Sequence, residues 1–240
     1  MTLIESHEPW LGRVPFDWTR TRIRNVAALS QGYSADRPSP NEMCTVVPME
    51  LLSEYGIIDV SNQQLFRDIP SGLTLFEPGD VLFAKITPCM ENGKGAFVDS
   101  LPTRYAFGST EFHVLRPSHS VHGRFLYYAT FNPVYRAYAA ENMTGAAGQK
   151  RVSSRFLKDT RLFLPSYPEQ ERIAAFLDAT CAVIDSVASL NGKTMNEFSQ
   201  SGVLNRQMAA LANYRKSLIH ECVTGQRRIT ERDTSKLMLN

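Results

Sequence analysis

Cysteine is scarce in this 240-residue chain, and what little there is forms no pattern. Cys44, Cys89, Cys181 and Cys222 make no C-x-x-C pair and have no histidine at zinc-ligand spacing, which argues against a disulfide framework or a zinc module. The five histidines (His7, His113, His119, His122, His220) are scattered, so no metal site is expected. No apolar run approaches 18 residues and no apolar segment follows the N-terminus, so neither a membrane span nor export is expected, and the chain reads as cytoplasmic. An excess of one charge is missing too. With 26 Lys and Arg against 24 Asp and Glu, a net charge of +2 does not announce nucleic acid. No internal repeat is present.

What the chain does have is a helical C-terminal part. From Pro165 to Gly225 apolar residues return at helical spacing: Ile173, Leu177, Cys181, Ile184 and Val187, then Leu204, Met208, Leu211, Leu218 and Cys222. Ser166 with Glu169 has the form of a capping box, Pro168 suits a first turn, and Gly225 suits a C-terminal cap. Gly192 and Gly202 weaken the middle by about 1 kcal/mol each, so the rod is either continuous or two helices with a joint. An apolar stripe of this kind needs a partner to cover it.

Upstream the pattern is β-rich and irregular. Thr19 to Ile23 alternates, and Cys44–Leu52, Gly56–Val60, Ala96–Val98, Glu111–Leu115 and Arg161–Leu164 carry short β-type runs. Pro78-Gly79-Asp80 reads as a turn feeding a buried strand through Ile86. Gly123 to Ala140 turns helical, broken at Asn132-Pro133. Residues 1–10 are polar and expected to be loosely held. Gly145 to Ser153 has too much glycine and alanine in its centre to pack by itself. The fold class is therefore α+β, an irregular β-rich domain over 1–165 followed by a long, coiled-coil-like helical region over 166–225. A polar tail at 226–240 is expected to be disordered.

Four stretches carry a family likeness. They are Gly79-Asp80-Val81-Leu82-Phe83-Ala84-Lys85-Ile86 through Asn92-Gly93-Lys94; Phe107-Gly108-Ser109-Thr110-Glu111-Phe112; Gly145-x-x-Gly148-Gln149-Lys150-Arg151-Val152-Ser153; and the helical Glu169-Gln170-x-x-Ile173-Ala174-x-Phe176-Leu177-Asp178 with Tyr214-Arg215-x-Ser217-Leu218-Ile219. Together they resemble the specificity subunits of type I restriction-modification systems. The resemblance implies a target recognition domain that reads double-stranded DNA and a conserved helical spacer that docks methyltransferase (M) subunits. It also implies that S-adenosylmethionine, ATP and magnesium act on the methyltransferase and restriction (R) subunits, with no cofactor on this chain. A complete subunit of this family holds two recognition domains and two spacers, and here there is one of each. The expectation is therefore a homodimer reading a bipartite inverted repeat, its seam formed by Ile173, Leu177, Ile184, Leu204, Leu211 and Leu218.

Within the first domain, Lys85, Lys94, Lys150 and Arg151 suit phosphate contacts, which position without reading sequence. Asn92, Ser109, Thr110 and Gln149 present the amides and hydroxyls that read base edges. Ser109-Thr110-Glu111 suits a fold-determining turn equally well. From Phe112 to Lys158, seven basic residues face one acid, Glu141, which suggests a local basic surface. Catalysis is not expected. Asn132-Pro133-Val134-Tyr135 resembles the N-P-P-Y signature of adenine methyltransferases but lacks the second proline. Phe83, two before Lys85, removes a nuclease motif, and Gly148 is followed by Gln149 where a P-loop needs lysine. Two other readings remain open, a stand-alone DNA-binding regulator and a coiled-coil assembly protein.

Overall fold

Residues 2–29, 37–146, 148–195 and 202–237 are described by the computed structural model. The N-terminal part holds β1 (Leu3–Glu5), β2 (Arg13–Pro15), β3 (Thr19–Arg22), α1 (Ile23–Val26), β4 (Ala27–Leu29), β5 (Met43–Val47), β6 (Gln63–Leu65) and β7 (Thr74–Phe76). Then come β8 (Val81–Ala84), β9 (Gly95–Phe97), β10 (Ala106–Gly108), β11 (Phe112–Pro117), α2 (Gly123–Phe131), α3 (Pro133–Glu141), α4 (Ser154–Asp159) and β12 (Arg161–Leu164). Three helices follow: α5 (Tyr167–Met195), α6 (Gly202–Val223) and α7 (Glu231–Leu237).

The unbroken apolar run of β8 is explained by burial on both faces. Strand side chains alternate, so Val81 and Phe83 point into one core and Leu82 into another. β11 does the same with Leu115 and Val114. The sheet β4-β11-β8-β9, antiparallel throughout, thus forms a middle layer. Helices cover one side of it. On the other lies the sheet β6-β5-β10-β7, whose Val47, Phe76 and Ala106 complete the second core. That sheet is antiparallel except for the parallel pair β5 and β10. The expected turn feeding β8 is present, and Arg116 holds the buried Asp80 at its centre with two hydrogen bonds of 2.9 Å.

Asn132 ends α2 and caps α3, its side chain accepting from the Val134 N–H at 3.0 Å with Pro133 in the first turn. Asn132 is wholly buried, so the Asn132–Tyr135 tetrapeptide forms a helix junction. Residues 56–60 contribute only an isolated bridge between Ile58 and Leu52, not a strand. β10 and α4 carry too short a pattern to stand out in the sequence.

α5 and α6 run antiparallel. Asp185 meets Arg215, Arg227 lies over the Phe176 ring, and Arg228 donates to Glu169. A continuous rod is excluded: Gly192 lies inside α5 and Gly202 opens α6. Ile173, Leu177, Ile184 and Leu218, expected to face a second copy, are buried inside this chain. α6, α7 and the aromatic side of α2 pack over this buried part of the stripe, so these four side chains are not free to face a second copy. Leu211 is half-buried, and the side chain of Leu204 lies outside the described residues.

Neither end of the chain is loose where it is described. β1 pairs with β2, and Trp10 is buried against Tyr135. Gly225, at φ +70°, turns the chain against Pro15 and Trp18, where a Cβ would stand 2.4 Å from the proline ring. Beyond it Ile229 is buried, Arg228 bridges Asp17 and Glu169, and α7 packs on α5. Residues 226–237 are thus part of the fold, because their apolar and basic side chains find partners at both ends of the domain.

Candidate nucleic-acid interface

Past Ala84, β8 continues as an irregular segment, and the loop Thr144–Val152 is laid beside it. Thr87 donates its N–H to the Lys150 carbonyl at 3.0 Å, and Val152 donates to the Lys85 carbonyl at 2.9 Å. The loop closes on itself through paired backbone bonds between Thr144 and Arg151 of 2.8 and 3.0 Å. Gly145 is required at its start. Its φ is +130°, and a Cβ there would sit 2.8 Å from the Gln149 carbonyl oxygen.

Two side chains of β11 and its leading turn anchor this loop. Glu111 takes a forked pair from Arg151, 3.0 Å to Nε and 2.7 Å to Nη2. The Arg151 guanidinium accordingly holds the Glu111 carboxyl below its usual range. Buried His113 places Nε2 2.8 Å from the Val152 carbonyl. Burial depresses its pKa, so the ring is neutral and Nε2 is the atom that carries the proton. Among the described residues, the Gln149 amide and the Lys150 ammonium have no hydrogen-bonded partner, and both are exposed. The result is a rigid base with an outward-facing amide and cation. That is the chemistry of a base-edge contact beside a phosphate contact.

The expected site residues divide. Lys85, Gln149, Lys150 and Arg151 gather at this loop, with Arg151 acting inward on Glu111, and exposed Thr110 stands next to Glu111 in the chain. Ser109 makes a turn, its hydroxyl accepting from the Glu111 N–H at 3.2 Å, so of its two readings the turn is the one observed. Lys94 is structural, because its ammonium donates to the Met49 carbonyl at 2.9 Å. Asn92 lines a separate cleft with Phe131, Arg215 and Lys216, between the β-rich domain and α6. The basic run of residues 112–158 does not form one surface. Arg116 pairs with Asp80 and Arg124 with Asp99 and Asp178, all outside that window. Arg136 is buried under carbonyls of Met90, Lys94 and Thr130. Sequence reasoning missed Glu111 and His113 as anchors, since their partners lie about 40 residues away and no local spacing signals them.

The β-rich domain is footed on the helix pair by specific contacts. Gln170 accepts from the His122 N–H at 2.8 Å and donates to the Pro165 carbonyl at 3.0 Å. Asp178 accepts from the Tyr128 hydroxyl at 2.7 Å, and His220 reaches the Asn132 side chain at 3.3 Å. Glu169 turns to Arg228 instead of closing a capping box. Among the described residues no metal-holding group of His, Cys, Asp or Glu exists, and no helix is long and apolar enough to cross a membrane.

These features define an irregular α+β domain mounted on an antiparallel helix pair. Residues 71–193, from β7 through most of α5, match the type I restriction modification DNA specificity domain, and the chain belongs to that family. It is 32% identical over 173 residues to the EcoAI type I restriction enzyme specificity subunit of Escherichia coli, spanning 70% of this chain and 28% of that one. It is 29% identical over 177 residues to the EcoEI specificity subunit of the same organism, spanning 72% and 29%. The chain thus spans under a third of the length of these curated relatives. The fold is that of the HsdS subunit from Thermoanaerobacter tengcongensis, with a TM-score of 0.60 at 21% identity over 77% of this chain and 47% of that chain. A structure describing complex assembly and conformational transition of the type I R-M system matches with the same score and coverage at 23% identity.

Proposed function

We propose that this chain supplies target-sequence recognition to a type I restriction-modification complex. The observation that carries this reading is the anchored loop, which points Gln149 and Lys150 outward from a base built by Glu111 and His113. Gln149 reads a base edge, for which adenine is the natural amide partner. Lys150 and Lys85 lie on the backbone phosphates. Partner subunits carry the chemistry: adenine-N6 methylation with S-adenosylmethionine, and ATP- and magnesium-dependent cleavage, in the cytoplasm. This chain holds none of those cofactors. A second recognition unit, supplied by a second copy of the chain, reads the other half of a bipartite inverted repeat. Because the apolar stripe is covered, the copies meet through side chains left exposed on the helix pair, such as Val183, Val187 and Tyr214.

The test uses the chain co-assembled with its methyltransferase subunit and duplex DNA titrated across a salt series. Lys150→Ala should weaken binding and flatten the log–log salt slope by about 0.9. Gln149→Ala should instead relax sequence preference with little change in slope. Unchanged affinity, slope and preference in both variants would move the interface elsewhere, and failure to co-purify with a methyltransferase subunit would favour a stand-alone regulator. A methylated site without inverted-repeat symmetry would sink the two-copy arrangement.

A further inference from the structure

The strand pair β3–β12 joins the recognition domain to the helices, and it is crowded with arginine. Arg22 and Arg161 stand directly opposite each other in the antiparallel register, a like-charge pairing that disfavours the strand contact. Arg20 lies two residues from Arg22 and so on the same face of β3. Arg24 follows in α1, and Arg155 comes from α4. Against these five guanidinium groups stand two carboxylates, and each is divided. The same Glu8 oxygen accepts from Arg20 at 2.7 Å and Arg161 at 3.0 Å. Asp159 is shared by Arg24 at 2.7 Å, Arg22 at 3.7 Å and Arg155 at 3.9 Å. Three positive charges are left over. They border an open hollow of about 320 Å³ lined by Arg20, Thr21, Arg22, Arg24, Asn25 and Arg161.

The cluster is not isolated. A neighbouring hollow lined by Arg22, Arg155, Arg161 and Ser153 extends it toward the recognition loop, reaching a residue two along the chain from Arg151. The side chain of Arg155 is 94% exposed and that of Arg24 48%. The pairs on Asp159 add little to the fold, since exposed ion pairs contribute little, whereas the Glu8 pairs are partly buried. A run of forked, partly neutralised guanidinium groups does match successive phosphodiesters, to which arginine donates two hydrogen bonds at once.

We propose that Arg20, Arg22, Arg24, Arg155 and Arg161 form a second DNA-contacting surface, one that grips the phosphate backbone beyond the bases reached by the Gln149–Lys150 loop. The proposal rests on the reading of the chain as a duplex-binding protein. The surface carries affinity and orientation but no sequence information, because phosphates are the same on every duplex.

The test is duplex binding by the full chain, measured by anisotropy over a salt series with two duplexes of unrelated sequence. Arg24→Gln with Arg155→Gln avoids the inner arginines that hold Glu8. This variant should weaken both duplexes by a similar severalfold factor and reduce the log–log slope by about two units. Arg24→Lys with Arg155→Lys retains the charge and should keep most of that slope. Normal folding of each variant is checked by its melting curve. Unchanged affinity and slope, with Lys150→Ala still weakening binding, would overturn this surface and leave the recognition loop standing. A parent chain with no salt-dependent duplex binding would overturn both. Loss of assembly with a protein subunit, with DNA binding intact, would hand the cluster to an acidic protein partner and overturn the proposal.

Discussion

Arg151 grips Glu111 with two nitrogens on two oxygens across a separation of 40 residues. This ion pair ties the Thr144–Val152 loop to the start of β11, and it places a carboxylate beneath Gln149 and Lys150, the residues proposed to contact DNA. Removing an acid near a phosphate ordinarily raises affinity. Glu111→Gln should lower it severalfold, because the loop loses its anchor. Amide exchange at Arg151 and Val152 should speed up in the same variant. Tighter binding with unchanged exchange would show that Glu111 is only a local negative charge.

Gly145→Ala addresses the loop from its other end. The left-handed backbone and the nearby Gln149 carbonyl leave no room for a side chain. Melting temperature should change little, since the loop is exposed and adds little to the core. Duplex binding should fall about as far as in Lys150→Ala.

Leu177 is wholly buried among the helices and the aromatic core. Leu177→Ala should cost about 2–5 kcal/mol of stability. Leu177→Asp should fail to fold rather than release intact monomers. Light scattering combined with circular dichroism separates these outcomes, and a folded Leu177→Asp monomer would restore the stripe to an intermolecular seam.

Acid should weaken the chain in a defined window. Burial holds His113 and His220 below the usual 6.5 in the folded state. The unfolded chain therefore binds protons first as pH falls, and stability declines from about 6.5 down through the folded values. His113 is flanked by Lys85, Lys158 and Glu111, and His220 by Glu221. Glu111 adds a second loss lower down, below 4.5, as its depressed carboxyl is finally protonated. Melting temperature followed from pH 8 to 5 should drop, and His113→Gln should flatten part of that drop. A flat profile in the parent chain would contradict the lowered histidine values.

Periodicity was enough to find α5 and α6, because a long amphipathic repeat is a local property. It could not say what the stripe faces, since Leu177 and Leu218 look the same whether the covering helix is their own or a partner's. Strands were legible where an apolar run is buried on both faces, as at Val81–Ala84, whereas Ala106–Gly108 of the outer sheet, three residues with no flanking alternation, did not stand out. The candidate site divided along the same line. Gln149 and Lys150, expected in a glycine-bounded loop, are exposed on it, whereas Lys94 looked identical to a phosphate ligand until its ammonium was found on the Met49 carbonyl. Pairings such as Arg151 with Glu111 and Arg116 with Asp80 depend on strand register, which no window of residues contains.

The antiparallel course of α5 and α6 has a consequence for how reach can vary. Both limbs are rooted at one end, α5 through Gln170 and α6 through the Gly225 turn and Arg228. Adding one helical turn to each limb would carry the far end outward by about 5.4 Å and leave both footings untouched. In a single rod the same insertion would swing everything beyond it around the axis. A boom doubled back on its own mast can be lengthened without re-aiming what stands at its base, so under the proposed function span and sequence preference would be free to change independently.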